Sequence, residues 1–463
     1  MKYFLSATIV LMLLLIVSCS KTSFITSGDA SVGYSADTLH YDTVFTTTGS
    51  VTQSFKIFNL NNQKLRLSSV KLMGGALSAY RMNVDGTPGD NFSNIELEPN
   101  DSIYVFVTIS VNPSAANLPF IVQDSILVNY NGNDHFVQLE AYGQNAHFLR
   151  GQRIITDSLW VNDLPYVILD SLSVDENVTL TIGQGCRIYS HASAPFIVNG
   201  SLVVNGDSSA RVTFSGDRLD PDYKDLPGSW PGLIFNPSSQ NNVLNYAVIK
   251  NAYQGIVTEG KPDLPYKIEL NQCIVQNVFD AGILCANSSM SATNCLVANC
   301  GANIYIEAGG TYSFNYCTVA SYGNQFLSHT TPVLTLSDAN LSGTFVGDLN
   351  ATFKNSIFYG DNGNVDDEIV VKKVDSSTFS LSFANILYKN KSAIVDGTVI
   401  NSFNNQLPDF ENIDVAKGIY NFHLKDTSPA VDAGDSASPI LIDLDGKPRP
   451  QRNGPDIGCY ERQ

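Results

Sequence analysis

Between residues 37 and 147, apolar and polar positions alternate in short runs, with Phe55 and Ile57 in one and Ile103, Val105, Val107 and Ile109 in another. A period of two is what a strand shows when one face of its sheet is buried. Turn residues separate the runs at Asn61-Asn62, Gly74-Gly75, Asp85-Gly86, Pro99-Asn100 and Asn131-Gly132-Asn133. Seven or eight strands in roughly 110 residues predict an all-β, two-sheet sandwich.

Beyond residue 147 the alternation acquires a longer period. LNYAVIKNAYQGIVT from Leu244, LNQCIVQNVFDAGILC from Leu270, ATNCLVANCGANIYI from Ala292 and FNYCTVASYGNQFL from Phe314 share one design, with a weaker copy from Phe353. Ala247, Cys273, Cys295, Cys317 and Ser356 form one column, at first spacings of 26, 22 and 22. Ile249, Val275, Val297 and Val319 form a second, and Asn251, Asn277 and Asn299 a third. Repeats of this length, rich in β-branched residues, Asn and Gly, predict a solenoid in which each unit buries its inner face against its neighbours. Asn in the third column suits a left-handed turn and can hydrogen-bond its counterpart one repeat away. The same grammar is already present from Val167 to Gly216, so residues 148–424 would hold about eleven repeats stacked at ~4.8 Å. Val248, Ile274 and Leu296 fall between the inward columns and should form an outward apolar stripe, which needs cover from another segment or a partner.

The repeat grammar resembles the right-handed parallel β-helix family that includes pectate lyases. The sandwich segment is of immunoglobulin type. It lacks the core disulfide and packed Trp, since residues 37–147 contain neither Cys nor Trp. Its FKIFNLNNQKLRLSSV and IELEPNDSIYVFVTISVNP runs are similar to a cysteine-free sandwich family of ciliary, spindle and bacterial envelope proteins, whose members serve as spacers or interaction modules. The tail words TSPAVDAGD, IDLDGKPRP and GPDIGCYE resemble the choice-of-anchor Q domain of bacterial β-helix proteins. The resemblance implies that residues 425–463 cap the open end of the solenoid, with Asp443, Asp445, Arg449 and Asp456 as a buried polar cluster or Asp443 and Asp445 as Ca²⁺ ligands.

Residues 1–18 read as an export signal: Lys2 supplies the positive end, and the apolar run from Phe4 to Val17 is short for a membrane span. Ile16-Val17-Ser18-Cys19 resembles a bacterial lipobox, which implies cleavage before Cys19 and its lipidation. Ser20 in place of the inner-membrane retention Asp implies an outer-membrane destination, in a chain of Bacteroidetes-like organisation. Residues 19–36, rich in Ser, Thr, Gly and Ala, are expected to form a flexible tether. With 27 basic against 44 acidic residues the net charge is −17, which argues against nucleic-acid partners. The expected partners are the bilayer, through the acyl anchor, and a glycan or surface protein.

Four of the eight cysteines fall between Asn271 and Cys300. The columns make Cys273, Cys295, Cys317, Cys285 and Cys300 interior filler. Successive spacings of 12, 10 and 5 match no zinc pattern, no His lies between residues 192 and 328, and a single disulfide stays open. Asp217, Asp220, Asp222 and Asp225 form the richest acidic loop, read as solvated with Ca²⁺ as the alternative; Asp366, Asp367 and Glu368 form a shorter one. No phosphate loop, nucleophile elbow or H-E-x-x-H motif is present, so no catalytic residue and no cofactor is assigned. The expected role is non-catalytic binding or structural, with a polysaccharide lyase or glycoside hydrolase on the solenoid flank as the alternative.

Overall fold

The computed structural model describes residues 23–46, 49–112, 120–220, 223–260, 265–374, 377–437 and 440–463. Cys19 and the export signal lie outside these. Among the described residues the chain is all-β, without an α-helix, and it divides into two units, Met1–Asn145 and Ala146–Gln463.

The first unit holds two five-stranded sheets. One runs in the order Val32–Tyr34, Gln53–Asn59, Ser102–Ile109, Tyr80–Val84, Thr87–Gly89; the other runs Thr38–Phe45, Asn133–Gln144, Phe120–Tyr130, Leu65–Leu72, Asn91–Leu97. Neighbouring strands are antiparallel except for Thr38–Phe45 against Asn133–Gln144. Phe55, Ile57, Ile103, Val105, Val107 and Ile109 are all buried, as the alternation requires, and pack with Leu67, Val70, Val128 and Leu139 in one core. Asn131 and Gly132 both take positive φ, which closes the Phe120–Tyr130/Asn133–Gln144 hairpin as a two-residue turn matched to the strand twist.

A tether reaching residue 36 is too long. Val32–Tyr34 pairs with Ile57–Asn59, and Phe24 bridges Lys64. The open edge of Gln53–Asn59 offers backbone groups that this segment satisfies, which outweighs its loop-like composition.

The second unit is built of parallel ladders. An eleven-stranded sheet begins at His147–Leu149 and passes through Val212–Gly216, Ala247–Lys250, Ile274–Gln276, Leu296–Ala298, Thr318–Ser321 and Ile357–Gly360 to Phe403–Asn404. A seventeen-stranded sheet carries two further parallel series, through Ile256–Glu259 and through Ile268–Asn271, which run together in the long strands Ala281–Thr293 and Ala302–Asn315. The register pairs Ile249 with Val275, Val275 with Val297 and Val297 with Val319, so the second repeat column is a line of stacked side chains in the core. Cys285 sits between Thr258 and Ile306.

Asn251, Asn277 and Asn299 have φ of 61°, 54° and 52°. Asn277 Nδ2 donates to Asn251 Oδ1 at 2.8 Å, while Asn277 Oδ1 accepts from Asn324 Nδ2 and Asn299 Oδ1 from the Tyr322 N–H. A second left-handed corner, at Tyr246, Gln272, Asn294, Tyr316, Asn355 and Asn385, has no uniform sequence signal, because Tyr and Gln rarely take positive φ.

The tail does not close the end of the stack. It lies along this second corner and over the outer face of the eleven-stranded sheet. Leu444, Ile457, Cys459 and Tyr460 pack there on Leu296, Ala298, Ala320 and Ile357, with Ile274 alongside. Asn294 Nδ2 donates to Ile442 O, Arg211 Nη2 to Leu444 O, and the Gly458 N–H to Asn355 O. Burying the outward stripe is the physical reason: apolar area is removed from water along the whole flank, whereas an end cap covers one rung only.

Candidate functional site

Besides the acidic loop after Gly216, three groups of side chains in the second unit have the composition of a site. The first is the tail network. Arg449 and Glu461 form a buried pair, Nε to Oε2 at 3.0 Å, each 1% exposed. Arg449 also donates to Asn294 Oδ1 at 2.8 Å and Gly458 O at 3.0 Å, and its guanidinium lies over the Tyr316 ring. Asp443 accepts backbone N–H bonds from Asp445, Lys447 and Glu461. Asp456 accepts from Asp432 and Arg462. Burial pushes the Asp443 carboxyl up, and that of Asp456 up to about 6, against these donors. Asp445 instead faces His423 at 2.9 Å, a hydrogen bond that holds its carboxyl below the usual range. The Asp443 oxygens are thus taken by N–H donors, and those of Asp445 turn to His423 and Arg211, so the pair offers no open oxygen cage. Glu461, the hub, ends the GPDIGCYE word yet stands outside the expected cluster of Asp443, Asp445, Arg449 and Asp456, because nothing local in the sequence pairs it with Arg449.

The second group surrounds a cleft of about 530 Å³ between the 363–366 loop and Lys389, Lys391 and Asn405. Beneath it His329 Nε2 and Glu368 Oε1 meet at 2.9 Å, 2% and 0% exposed. Glu368 is therefore core, not part of a solvated acidic loop, and its partner stands 39 residues away in sequence, beyond any local motif. A Cβ on Gly360 would lie 2.2 Å from His329 Nε2 and 2.3 Å from Glu368 Oε1. Gly360 thus packs its backbone directly on the pair, where no side chain would fit. In the cleft itself Lys391 faces Asp366 at 3.3 Å, and Lys389 donates to Gly360 O at 2.7 Å.

The acidic loop after Gly216 is equally self-contained. His191 Nδ1 meets Asp217 at 2.8 Å, Arg218 clamps Asp220 at 2.9 and 3.1 Å, and Lys250 lies 3.9 Å from Asp225; Asp222 falls outside the described residues. Among the described residues no group of three or more His, Cys, Asp or Glu is placed to hold a metal ion.

The third group is apolar and exposed. Tyr253 and Phe279 occupy the turn after the asparagine column on successive rungs, each 50% exposed, with ring centroids 5.5 Å apart and planes 23° apart. Backbone bonds fix them: Tyr253 N–H donates to Trp230 O, Phe279 N–H to Ala252 O and Asp280 N–H to Tyr253 O. On the next rung stands Gly301, where a Cβ would fall 2.2 Å from Phe279 O, so no side chain there can cover the Phe279 ring. Beside the rings Gln254 Nε2 donates to Asp280 Oδ2 at 2.8 Å.

The seven described cysteines are all buried and free. Cys273, Cys295 and Cys317 direct their thiols at backbone carbonyls, with Cys273 Sγ 3.1 Å from Leu244 O. Burial raises the Cys273 and Cys295 thiols well above the ordinary range and lifts Cys300 and Cys459 to about 12. Such thiols are poor nucleophiles and poor metal ligands.

No protein-family model matches the chain. No curated protein matches it either. Among solved structures, a family 123 glycoside hydrolase from Clostridium perfringens, described for glycolipid glycan hydrolysis, aligns at 11% identity and TM-score 0.18, covering 25% of each chain. The ASH/PapD-like domain 7 of human CEP192 aligns at 13% identity and TM-score 0.17, covering 28% of this chain and 94% of that domain. The chain thus spans 25% of the hydrolase's length. Likeness at this level bears on neither fold nor function.

Proposed function

We propose that the chain is an exported envelope lipoprotein, anchored in the outer membrane through acylated Cys19. In this reading an immunoglobulin-like sandwich carries a right-handed parallel β-helix, and a choice-of-anchor Q-like tail is strapped along the helix flank. Its role is non-catalytic: it binds a glycan or a surface protein. The export reading is supported by Lys2, the apolar run to Val17 and the lipobox-like Ile16–Cys19. The β-helix reading is supported by three parallel ladders that advance by one sequence repeat per rung, and the sandwich reading by two five-stranded sheets around one core.

The observation that carries the binding role is the ladder flank. Asp217, Asp220 and Asp225 of its 217–225 loop are engaged in ion pairs, while Tyr253 and Phe279 stay exposed beside the Asn251 and Asn277 amides. A rigid flank of rings and amides recognises a surface; it does not activate water. The test is incubation with a panel of neutral and acidic glycans, with and without Ca²⁺, following binding by calorimetry together with unsaturated products and reducing ends. Binding without cleavage is expected. Cleavage of any glycan would replace this reading with the lyase or hydrolase alternative. Labelled palmitate should enter the wild-type protein and not the Cys19→Ala variant.

A further inference from the structure

We propose that Tyr253 and Phe279 form a stacking subsite for a chain of neutral hexopyranose units. This deepens the binding role proposed above and rests on it.

Among the described residues Tyr253 and Phe279, 5.5 Å apart at near-parallel tilt, are one of two exposed stacked ring pairs, and unlike Tyr104–Phe106, which Lys56 covers, they have no cation over a ring. The asparagine column does not require them. The turn is closed by Asn251 and Asn277 and by the backbone bonds of Tyr253, Phe279 and Asp280 whatever side chains stand there. A role in the core is excluded by exposure.

Three features define what the rings would take. First, Phe279 is half exposed and position 301 on the next rung has neither a side chain nor room for one, so the exposed part of its ring can take a flat apolar face of about one sugar ring. The C–H face of a pyranose with equatorial hydroxyls is such a surface, and it stacks on an aromatic ring without loss of its hydroxyl hydration. Second, Gln254 and Asp280 stand in the neighbouring position on the same two rungs and supply amide donors and carboxylate acceptors at the edge of the ring step, in reach of sugar hydroxyls. Third, Asp280 is exposed and no described salt bridge pairs it with a cation, in a chain of net charge −17. A uronic acid, sulfate or phosphate group would be held against a like charge, which selects neutral sugars over acidic ones and over nucleic acid.

The experiment uses the mature full-length protein in detergent, titrated with cellohexaose, laminarihexaose and chitohexaose, and with hexagalacturonate as the acidic comparator. At least one neutral hexasaccharide should bind, and the Tyr253→Ala/Phe279→Ala variant should weaken that binding roughly tenfold or more. Tyr253→Phe and Phe279→Tyr should retain it, which a merely structural role would not distinguish. Both rings are half exposed, so thermal unfolding of the double variant should match wild type; if it does not, Phe279→Gln alone provides the same test. A double variant that binds a neutral sugar as wild type does overturns the subsite and leaves the binding role standing. Tighter binding of hexagalacturonate than of every neutral sugar overturns the neutral class. Absence of binding to any glycan or surface extract overturns the binding role and the subsite together.

Discussion

Arg449→Ala removes the cation at the centre of the tail network, and its effect can be worked from the contacts. The lost guanidinium held Glu461 at 3.0 Å, Asn294 Oδ1 at 2.8 Å, Gly458 O at 3.0 Å and the face of Tyr316. Glu461 would stay buried with its charge, and breaking one side of such a pair costs about 3–5 kcal/mol. The N–H groups of Gln451 and Asp456 still point at that carboxylate, at 3.0 Å each, which places the loss toward the lower end, about 3 kcal/mol. This energy belongs to docking of the tail, since every partner of Arg449 joins residues 440–463 to one another or to the ladder corner. A two-unit chain need not unfold in one step, so the readout is local: hydrogen exchange followed by mass spectrometry over residues 425–463. Exchange there should accelerate by about a hundredfold or more, with binding of a hydrophobic dye as Leu296, Ala320 and Ile357 are uncovered. Adding Glu461→Gln should recover part of the loss, because no uncompensated charge then remains. Exchange within a few-fold of wild type in Arg449→Ala would refute the view that the tail is held by this pair.

Two further outcomes follow from buried titratable groups. Asp456, with its carboxyl raised to about 6 from an ordinary 3.8, binds a proton more readily folded than unfolded, so tail docking should weaken as pH rises from about 4 through 6, by at most about 3 kcal/mol. Below about pH 4 the trend should reverse, as Asp445 and Asp409, held low by their bonds to His423 and Thr427, take up protons; Asp456→Asn should flatten the upper limb, and a slope unchanged in that variant would count against the assignment. Thiol titration should find the seven described cysteines unreactive in the native protein and all reactive in denaturant, and fewer than five free thiols after unfolding would contradict interior packing.

Period and column were legible in the chain itself. Alternation at Ile103–Ile109 placed the core of the first unit, and the recurrence at 26, 22 and 22 residues aligned Ile249, Val275, Val297 and Val319 as the ladders pair them, because side-chain direction in a strand is set by local backbone geometry. The left-handed asparagines were legible for the same reason: positive φ is a local cost that few residues tolerate.

What tertiary structure alone decided are the contacts between segments far apart in sequence. Glu368 looked like one of three solvated acids until His329, 39 residues earlier, was folded against it. Tail words that resemble a cap lie along a flank, where Leu444, Ile457 and Cys459 bury the outward stripe at Leu296, Ala320 and Ile357. Nothing local in the sequence marks Tyr253 and Phe279; only stacking of their rungs brings the rings to 5.5 Å, and backbone crowding at Gly301 leaves no room there for a covering side chain. Local sterics are written residue by residue, whereas burial and pairing depend on which distant surface arrives first and covers most, and that is settled by the folded chain as a whole.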